Sequence, residues 1–329
     1  MYLESPNVLK IFTFAEIYSR VVLHTDIAEI HTPGAVVTLG FFDGVHRGHR
    51  WLLSRLQEEA LKRNAPSVVM SFWPHPRLVL GSAGPDFHLL NTKEEKIRRI
   101  EDTGIDHLVL LTFTPEFSQI PAEVFVRDYL VASLKPSCLV VGDEVRFGAR
   151  GEGTANYLEE VAAGYGYNLV RLDTRKHEEH RISSTFIRAC LKSGDLASAN
   201  HLLGYHYEIA GEVQPGNRIG SSIGFPTANI YVADPVKQIP ADGVYAVIAE
   251  SSNGSYGGML NIGIRPTIED HNRQTIEVHM FGAEGEWYGK SLTIRFVARL
   301  RDEMKFNNLD ELRDQLFRDR ENAIKAINL

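Results

Sequence analysis

The hydrophobic pattern of this chain changes its period near residue 190, and that change restricts the possible folds more than any other feature. Between residue 35 and about residue 190, short β-branched apolar runs alternate with longer stretches of helical periodicity. Parallel strands joined by right-handed helical crossovers produce this alternation. The apolar runs cover residues 35–39, 67–72, 107–113, 138–141 and 168–172. We therefore predict an α/β domain with a doubly wound parallel sheet.

Helices are expected between these strands. The pattern predicts one helix after Gly48, one from Thr92, one over residues 121–134 and one over residues 154–164. Thr92 and Glu95 have the spacing of a capping box, in which the hydroxyl and the carboxylate each accept a hydrogen bond from the other residue's amide. The second of these helices should therefore begin at Thr92.

After a short helix that ends near Gly204, the pattern becomes one of short alternating strands separated by Gly, Pro and Asn, over residues 207–213, 244–250, 258–262, 275–281 and 291–300. This spacing is typical of an antiparallel sheet or barrel. A final helix over about residues 309–327 should cover one opening or side of that sheet with the apolar residues Leu309, Leu312, Leu316, Ala323 and Ile327. We place the domain boundary between residues 190 and 191, giving domains of residues 1–190 and 191–329.

Composition and charge exclude several classes of function. The formal net charge of −7 argues against nonspecific binding to nucleic acid or to an anionic membrane, since both need an excess of Lys and Arg. Cys138 and Cys190 have neither metal nor disulfide spacing, which fits a reducing cytosol. No apolar stretch reaches the roughly 18 residues of a membrane span. We expect a cytoplasmic protein whose partners are small molecules, without nucleic acid or membrane.

A first candidate site lies in residues 40–49, which follow an apolar run and open a helix. Gly40 and Gly44 let the backbone approach a phosphate there. His46 and His49 are three residues apart, so both can point to one side and donate hydrogen bonds to phosphate oxygens. Imidazoles without a carboxylate base suit a nucleophile that is already an anion, such as a phosphate monoester attacking the α-phosphorus of a nucleoside triphosphate.

Residues 181–188 support the same chemistry. Consecutive hydroxyls before an apolar helical pattern predict a helix N-cap. Arg188, one helical turn after Ser184, should lie on the same face of this helix. Hydroxyls, helix amides and a guanidinium could then meet one anion.

These two segments resemble known motifs. Residues 40–49 are similar to the GxFDGxHxGH motif, and residues 182–188 to the ISSTxIR motif, of the HxGH nucleotidyltransferases in their flavin-adenylating branch; residues 72–76 resemble a further stretch of that branch. The resemblance implies a Rossmann-like domain. It also implies transition-state contacts from His46, His49 and Arg188, and nucleotide or phosphate contacts from Gly40, Phe41, Asp43, Gly44, Ser183, Ser184 and Thr185.

A second candidate site lies around residues 224–229. Pro226 biases the backbone before it towards an extended conformation, so Thr227 and Asn229 should aim their oxygens at one point. Such oxygens, completed by ATP phosphates and water, suit Mg²⁺. Phosphorylation of an alcohol also needs a base, and Glu277 is the candidate, on the strand face opposite Ile276, Val278 and Met280. Glycines spaced four apart, Gly216, Gly220 and Gly224, would form a phosphate-binding flap.

The second half resembles a riboflavin kinase domain over residues 211–229, 261–267, 276–279 and 300–306. The resemblance implies that Thr227 and Asn229 serve the metal and the nucleotide, and that Glu277 acts as base towards the ribityl 5′-hydroxyl. Both resemblances together are those of the bacterial bifunctional riboflavin kinase/FAD synthetase (FMN adenylyltransferase) family. They imply two ATP-dependent steps, riboflavin to FMN and FMN to FAD, with Mg²⁺ as cofactor.

Three positions depart from the family pattern. Glu144 and Val145 replace Asp and Phe in the stretch over residues 142–148, and Ser221 stands where the flap usually has Arg. Two alternatives therefore stay open at this point: a riboflavin kinase whose first domain binds nucleotide but turns it over weakly, and a flavin-binding sensor without catalysis. Retention of Glu277 and both histidines argues against the sensor.

Overall fold

Contacts between residues divide the chain into two units. The computed structural model describes residues 21–173, 182–215, 224–252, 254–265 and 273–328. One unit consists of Met1–Phe41, Leu52–Val79 and Ile97–Leu172, and the other of Phe42–Trp51, Leu80–Lys96 and Asp173–Leu329. Two short stretches from the first half of the chain thus belong to the same unit as the second half. The boundary between residues 190 and 191 stays a prediction.

The first unit is built on a six-stranded sheet whose neighbouring strands are all parallel. Its strands are β1 (Val22–His24), β2 (Val36–Leu39), β3 (Ser67–Trp73), β4 (His107–Thr112), β5 (Cys138–Gly142) and β6 (Asn168–Leu172). They lie in the order β1-β4-β3-β2-β5-β6. The order reverses between β2 and β5, which is the switch point where doubly wound sheets bind ligands. The predicted fold of this part is confirmed.

Five strands were predicted and the sixth, β1, was not. Strands β2, β3, β4 and β5 are apolar runs buried almost throughout, as central parallel strands are. Strand β1 has only three residues, and Val22 and Leu23 are 48% and 40% exposed. The apolar run at this edge strand is only three residues long, residues 21–23, which is too short to stand out as a strand in the sequence.

Between residues 21 and 173, the structure describes the α-helices α1 (Arg47–Arg63), α2 (Pro76–Val79), α3 (Lys93–Glu101), α4 (Ala122–Val124) and α5 (Ala155–Tyr165). The capping box is confirmed, because the Thr92 amide donates to Glu95 Oε2 at 3.0 Å and the Glu95 amide donates to Thr92 Oγ1 at 3.2 Å. The single helix expected over residues 121–134 is instead α4 followed by a π-helix, Phe125–Ala132. Its wider turns still bury Phe125, Val126 and Leu130.

The second unit contains two short helices and a closed barrel. Helices α6 (Ser184–Ser193) and α7 (Leu196–Leu203) are capped by the side chains of Ser183 and Asp195. The barrel strands are β7 (Glu208–Gln214), β8 (Ala228–Tyr231), β9 (Gly243–Ser251), β10 (Gly254–Arg265), β11 (Arg273–Met280) and β12 (Ser291–Arg301). They close in the order β10-β11-β8-β7-β12-β9, with antiparallel neighbours. The predicted antiparallel barrel is confirmed.

The residues of β11 alternate between the barrel interior and the outer surface, as the sequence pattern predicts. Ile276, Val278 and Met280 belong to the buried apolar cluster inside the barrel. Glu277 and His279 are half-buried and lie on the opposite face. The candidate base is therefore on the outer surface of the barrel wall.

The last helix, α8 (Leu309–Ile327), has the predicted bounds and packs on that outer surface. Ala323 is fully buried in a cluster with Phe225 and Met259, and Leu316 and Ile327 pack against it. Leu309, in contrast, is 58% exposed, so its predicted place on the apolar face is wrong. It is the first residue of the helix and adds nothing to the buried stripe.

A buried ion pair fixes α8 to the barrel. Arg301 donates from Nε and Nη2 to the Asp319 carboxylate at 3.0 and 2.7 Å, and the Asp319 side chain is only 2% exposed. Within the described ranges, none of the helices combines the length and apolarity that crossing a membrane requires.

We predict that Arg301→Ala lowers the free energy of unfolding by roughly 3 kcal/mol, because it leaves the Asp319 carboxylate buried without its cation. The control is Arg313→Ala, on the helix that carries Asp319. Arg313 Nη2 lies 3.3 Å from the carboxylate of Asp310, which is 84% exposed. That variant should lose less than about 1 kcal/mol. Urea unfolding compares the two, and equal losses would contradict the assigned role of Arg301.

Candidate active sites

A buried aspartate, Asp43, organises the first site. One carboxylate oxygen, Oδ1, accepts hydrogen bonds from the amides of Leu90 and Asn91 at 3.0 and 3.3 Å. The other, Oδ2, accepts from Arg188 Nη2 at 2.8 Å. The Asp43 side chain is 6% exposed and that of Arg188 is 14% exposed. The carboxylate thus joins the two segments that the sequence analysis assigned to one anion site, and all these residues belong to the second unit.

The two histidines follow Asp43 closely in the sequence, and their side chains pack against each other. The rings of His46 and His49 are stacked with centroids 3.6 Å apart and 13° between their planes. The His49 amide donates to His46 Nδ1 at 3.3 Å. Because Nδ1 accepts, a neutral His46 carries its proton on Nε2 and can donate it there. We call Asp43, His46, His49, Ser184 and Arg188 the histidine site.

Glycines make this stacking possible. A Cβ at Gly48 would lie 3.3 Å from the His46 ring, so a larger residue would crowd the imidazole. Gly44 has a φ of +85°, a conformation that favours glycine, and a Cβ there would lie 2.6 Å from Leu90 Cδ1. The turn that leads into α1 therefore depends on Gly44, and the room for the His46 ring depends on Gly48, the second residue of α1.

Burial keeps both imidazoles neutral. It lowers the pKa of His46 to about 4, with the Asp43 carboxylate opposing the shift and Arg188 adding to it. Burial also lowers the pKa of His49 well below its ordinary value, and His46 and Lys96 act in the same direction. At neutral pH the two rings can therefore donate hydrogen bonds but carry no charge.

The residues of the second motif hold α6 to the Asp43 backbone. Ser183 caps the helix by accepting from the Phe186 amide at 3.2 Å. The Ser184 hydroxyl donates to the Asp43 carbonyl at 2.8 Å, so its proton is already engaged. Thr185 is exposed and accepts a long hydrogen bond of 3.5 Å from Arg188 Nη1. The first amides of α6, rather than the Ser184 hydroxyl, are then the donors available to an anion.

Lys96 is a charged neighbour that the sequence analysis missed. Its side chain is almost fully buried, at 2% exposure. Burial lowers its pKa to about 8, and the Asp43 carboxylate opposes the shift. No local signal in the sequence indicates this burial, because lysines near a helix start are usually exposed and the enclosure of Lys96 depends on tertiary packing.

Two residues of the first motif lie in the first unit. Gly40 donates its amide to the Met70 carbonyl at 3.1 Å. The Phe41 ring lies 5.4 Å from both the Phe72 and the His75 rings. In the same unit, Val145 packs against the apolar core, where the family pattern has an aromatic residue.

The second site is organised by Glu277, and we call Thr227, Asn229 and Glu277 the glutamate site. Glu277 lies directly opposite Asn229 in the pairing of β11 with β8, so the two side chains share one face. Thr227, immediately before β8, donates its hydroxyl to Glu277 Oε2 at 3.2 Å. The structure therefore brings together the three residues that the sequence analysis singled out.

His279 positions the segment that carries Thr227. Burial lowers the pKa of His279, and the Pro226 carbonyl opposes this shift. His279 Nδ1 lies 2.8 Å from that carbonyl oxygen, so Nδ1 carries the proton and donates it. The Phe225 ring packs on His279 with centroids 5.3 Å apart. The backbone just before Thr227 is thus anchored to β11.

A cavity of about 300 Å³ adjoins Glu277 and extends towards α8. Two polar residues beside it had no assigned role in the sequence analysis, although the family resemblance covered both. Asn261 lies opposite Glu277 in the pairing of β10 with β11. Its side-chain amide donates to Glu303 Oε1 at 3.2 Å. The sequence analysis could not place Asn261 beside Glu277 because it did not predict the register of β8, β11 and β10.

Part of the predicted flap lies outside the described residues, namely Gly216, Gly220 and the departure at Ser221. Gly224 is described and is exposed, with a φ of +85°. Among the described residues, no group of three or more His, Cys, Asp or Glu side chains could hold a metal ion.

Comparison with known proteins assigns the two halves. The family model for FAD synthetase matches residues 28–186, and that for riboflavin kinase matches residues 203–327. The chain is 38% identical over 295 residues to the bifunctional riboflavin kinase/FMN adenylyltransferase of Escherichia coli K12, covering 89% of this chain and 93% of that protein. The Bacillus subtilis protein of the same name is 34% identical, covering 88% and 92%. The chain belongs to the bifunctional riboflavin kinase/FMN adenylyltransferase family.

A solved structure supports the fold of this family member over nearly its full length. A crystal structure described as a macrolide-efflux protein from Streptococcus pneumoniae is 31% identical, with a TM-score of 0.82. The match covers 92% of this chain and 98% of that one. In this member of the bifunctional family, the histidine site carries the FAD synthetase motifs and the glutamate site lies in the riboflavin kinase match.

We predict that acid destabilises the protein through His46. The folded state keeps this imidazole neutral down to a pH of about 4, whereas the unfolded chain takes up the proton near pH 6.5. Between these values the unfolded state binds more protons, so stability is fully present above about pH 6.5 and is lost as the pH falls towards 4, by up to roughly 3 kcal/mol. His49 adds to the loss in the same direction.

The measurement is chemical unfolding at a series of pH values from 7.5 to 4, for the wild type and for His46→Asn. The variant has no imidazole to protonate at this position, so its stability should fall less steeply with decreasing pH. Identical slopes for the two proteins would mean that His46 is not held neutral.

Proposed function

We propose that Glu277 is the general base of the riboflavin kinase reaction and that Thr227 and Asn229 bind Mg²⁺ and ATP phosphates. The observation that carries this proposal is the 3.2 Å contact between Thr227 Oγ1 and Glu277 Oε2, with Asn229 directly opposite Glu277. A neutral ribityl hydroxyl must lose its proton as it attacks phosphorus. A carboxylate beside the phosphate-binding oxygens can accept that proton.

The cavity beside Glu277 suits the flavin. Its volume of about 300 Å³ is at the lower end of the range for small-molecule pockets, and apolar side chains such as Met259, Met304 and Phe306 line it together with Glu277. These residues would exclude water from the isoalloxazine ring. The ribityl chain could then extend towards Glu277.

The donor chemistry of the glutamate site fits Mg²⁺. A hydroxyl and an amide oxygen are hard ligands, and Mg²⁺ usually takes only one or two protein ligands beside phosphates and waters. When bound, the ion would neutralise developing charge on the phosphates. Thr227 and Asn229 would hold it, and Glu277 would keep the hydroxyl of Thr227 oriented.

For the FMN adenylyltransferase reaction, we assign transition-state stabilisation to His46, His49 and Arg188. The nucleophile is the FMN phosphate, already an anion, so no base is needed. Neutral imidazoles can donate to the α-phosphate and the departing pyrophosphate, and Arg188 brings a fixed positive charge through its bond to Asp43. The amides at the start of α6, after Ser183, would bind a further phosphate oxygen.

The two activities form a sequence, because the kinase product is the adenylyltransferase nucleophile. Riboflavin becomes FMN, and FMN becomes FAD, with ATP consumed at each step. We keep domains of residues 1–190 and 191–329 as part of this proposal. A cytoplasmic location also belongs to it, supported by the buried free thiols Cys138 and Cys190.

The test separates the two activities in one molecule. Glu277→Gln should lower FMN formation from riboflavin by about a hundredfold or more, the usual scale of a general base, while FAD formation from supplied FMN continues. His49→Asn should produce the opposite pattern, because it removes a donor to the transferring phosphate. Chromatography of FMN and FAD over time measures both rates.

Loss of both activities in either variant would contradict this division of residues. FMN production at an ordinary rate without FAD, by the wild type, would instead favour a kinase with a weak first domain. Tight flavin binding without ATP consumption would favour a sensor.

A further inference from the structure

The stretch from residue 89 to residue 95, which we call the 89–95 segment, contacts two parts of the second unit at once. Its amides at Leu90 and Asn91 hold the Asp43 carboxylate. Its other side is bound by residues 236–238, which lie in the riboflavin kinase match. The Leu89 amide donates to the Val236 carbonyl at 2.6 Å, and the Gln238 amide donates to the Leu89 carbonyl at 2.8 Å.

A buried lysine completes this second attachment. Lys237 Nζ donates to the Leu90 carbonyl at 2.7 Å and forms an ion pair with Glu95 Oε2. The Lys237 and Glu95 side chains are 0% and 2% exposed. The ammonium also lies 4.6 Å from the centroid of the buried Tyr207 ring. Both charged groups are therefore shielded from solvent, and their attraction is poorly screened.

The glutamate of this pair has a second function at the start of α3. Glu95 Oε2 also accepts the Thr92 amide in the capping box. One carboxylate oxygen thus fixes both the helix start and the lysine. Lys237 binds the carbonyl of Leu90, and Asp43 binds its amide. Both backbone groups of this one residue are therefore fixed, each by a different side chain.

We propose that Lys237 is a positioning residue for adenylyl transfer, although it lies in the kinase match. Its ammonium fixes the 89–95 segment, the segment's amides fix the Asp43 carboxylate, and Asp43 orients Arg188 and the turn before His46. Release of the segment would misplace these groups relative to the triphosphate. Displacements of about 1 Å can cost a hundredfold in rate. This inference rests on the proposed role of the histidine site.

The experiment uses the full chain and compares two rates within each variant. Lys237→Met should lower kcat for FAD formation from FMN by about tenfold or more, and leave kcat for FMN formation within about twofold. The glutamate site lies in the same unit, so simple unfolding would lower both rates in parallel. The ratio of the two rates does not depend on how much protein is folded. Lys192→Met is the matched control, since Lys192 is 68% exposed and pairs with exposed Asp86.

A second variant guards against instability, because Lys237→Met leaves the Glu95 carboxylate buried without its cation. Glu95→Gln combined with Lys237→Met removes both charges and keeps an oxygen for the Thr92 amide. It should recover thermal stability but keep the lowered FAD-to-FMN rate ratio, because the bond to the Leu90 carbonyl is still missing. A ratio that returns to the wild-type value in this double variant would overturn the proposal.

An unchanged ratio in Lys237→Met, or a parallel loss of both rates, would equally overturn it. His49→Asn, assayed alongside, distinguishes the two levels of inference. If His49→Asn keeps full FAD formation, the assignment of the histidine site fails. If His49→Asn loses FAD formation while Lys237→Met keeps its ratio, only the role of Lys237 fails.

Discussion

The buried carboxylate of Asp43 is the interaction on which the histidine site depends. It accepts two backbone amides and one guanidinium donor in a place with almost no solvent. A buried charge is tolerated only when it is paired and hydrogen-bonded, so each partner is fixed as strongly as the carboxylate itself. Stretches of chain nearly 50 and nearly 150 residues apart are thereby joined. The neutral, stacked imidazoles follow from the same enclosed environment.

In the mechanism that we propose, the two sites solve different chemical problems with different surroundings. At the glutamate site, a half-buried carboxylate on the outer barrel face lies beside a hydroxyl and an amide, as proton removal from an alcohol requires. At the histidine site, uncharged donors and one oriented guanidinium suit a nucleophile that needs no base. The order of the reactions, alcohol first and phosphate monoester second, is consistent with this proposed division of residues.

The sequence was sufficient to predict those features that a local residue pattern determines. The alternation in β11 placed Glu277 opposite the buried face, the Thr92 and Glu95 spacing gave the capping box, and the run over residues 309–327 gave the last helix. It was insufficient where distant partners decide. Nothing local in Asp43 or Lys237 indicates that each binds the 89–95 segment, because such pairings depend on how the chain folds back on itself. Leu309 shows the converse. It fits the apolar pattern of the last helix in the sequence, but its side chain is exposed because it does not pack into the buried stripe of that helix.

The most direct test measures two rates in Asp43→Asn, FAD formation from FMN and FMN formation from riboflavin. The control is Asp86→Asn, which changes a carboxylate that is 83% exposed. Loss of a charge-assisted hydrogen bond of about 1.5–3 kcal/mol should lower FAD formation from FMN by roughly ten- to a hundredfold. FMN formation from riboflavin should stay near the wild-type rate in both variants. FAD formation at the wild-type rate in Asp43→Asn would contradict the central place given to this carboxylate.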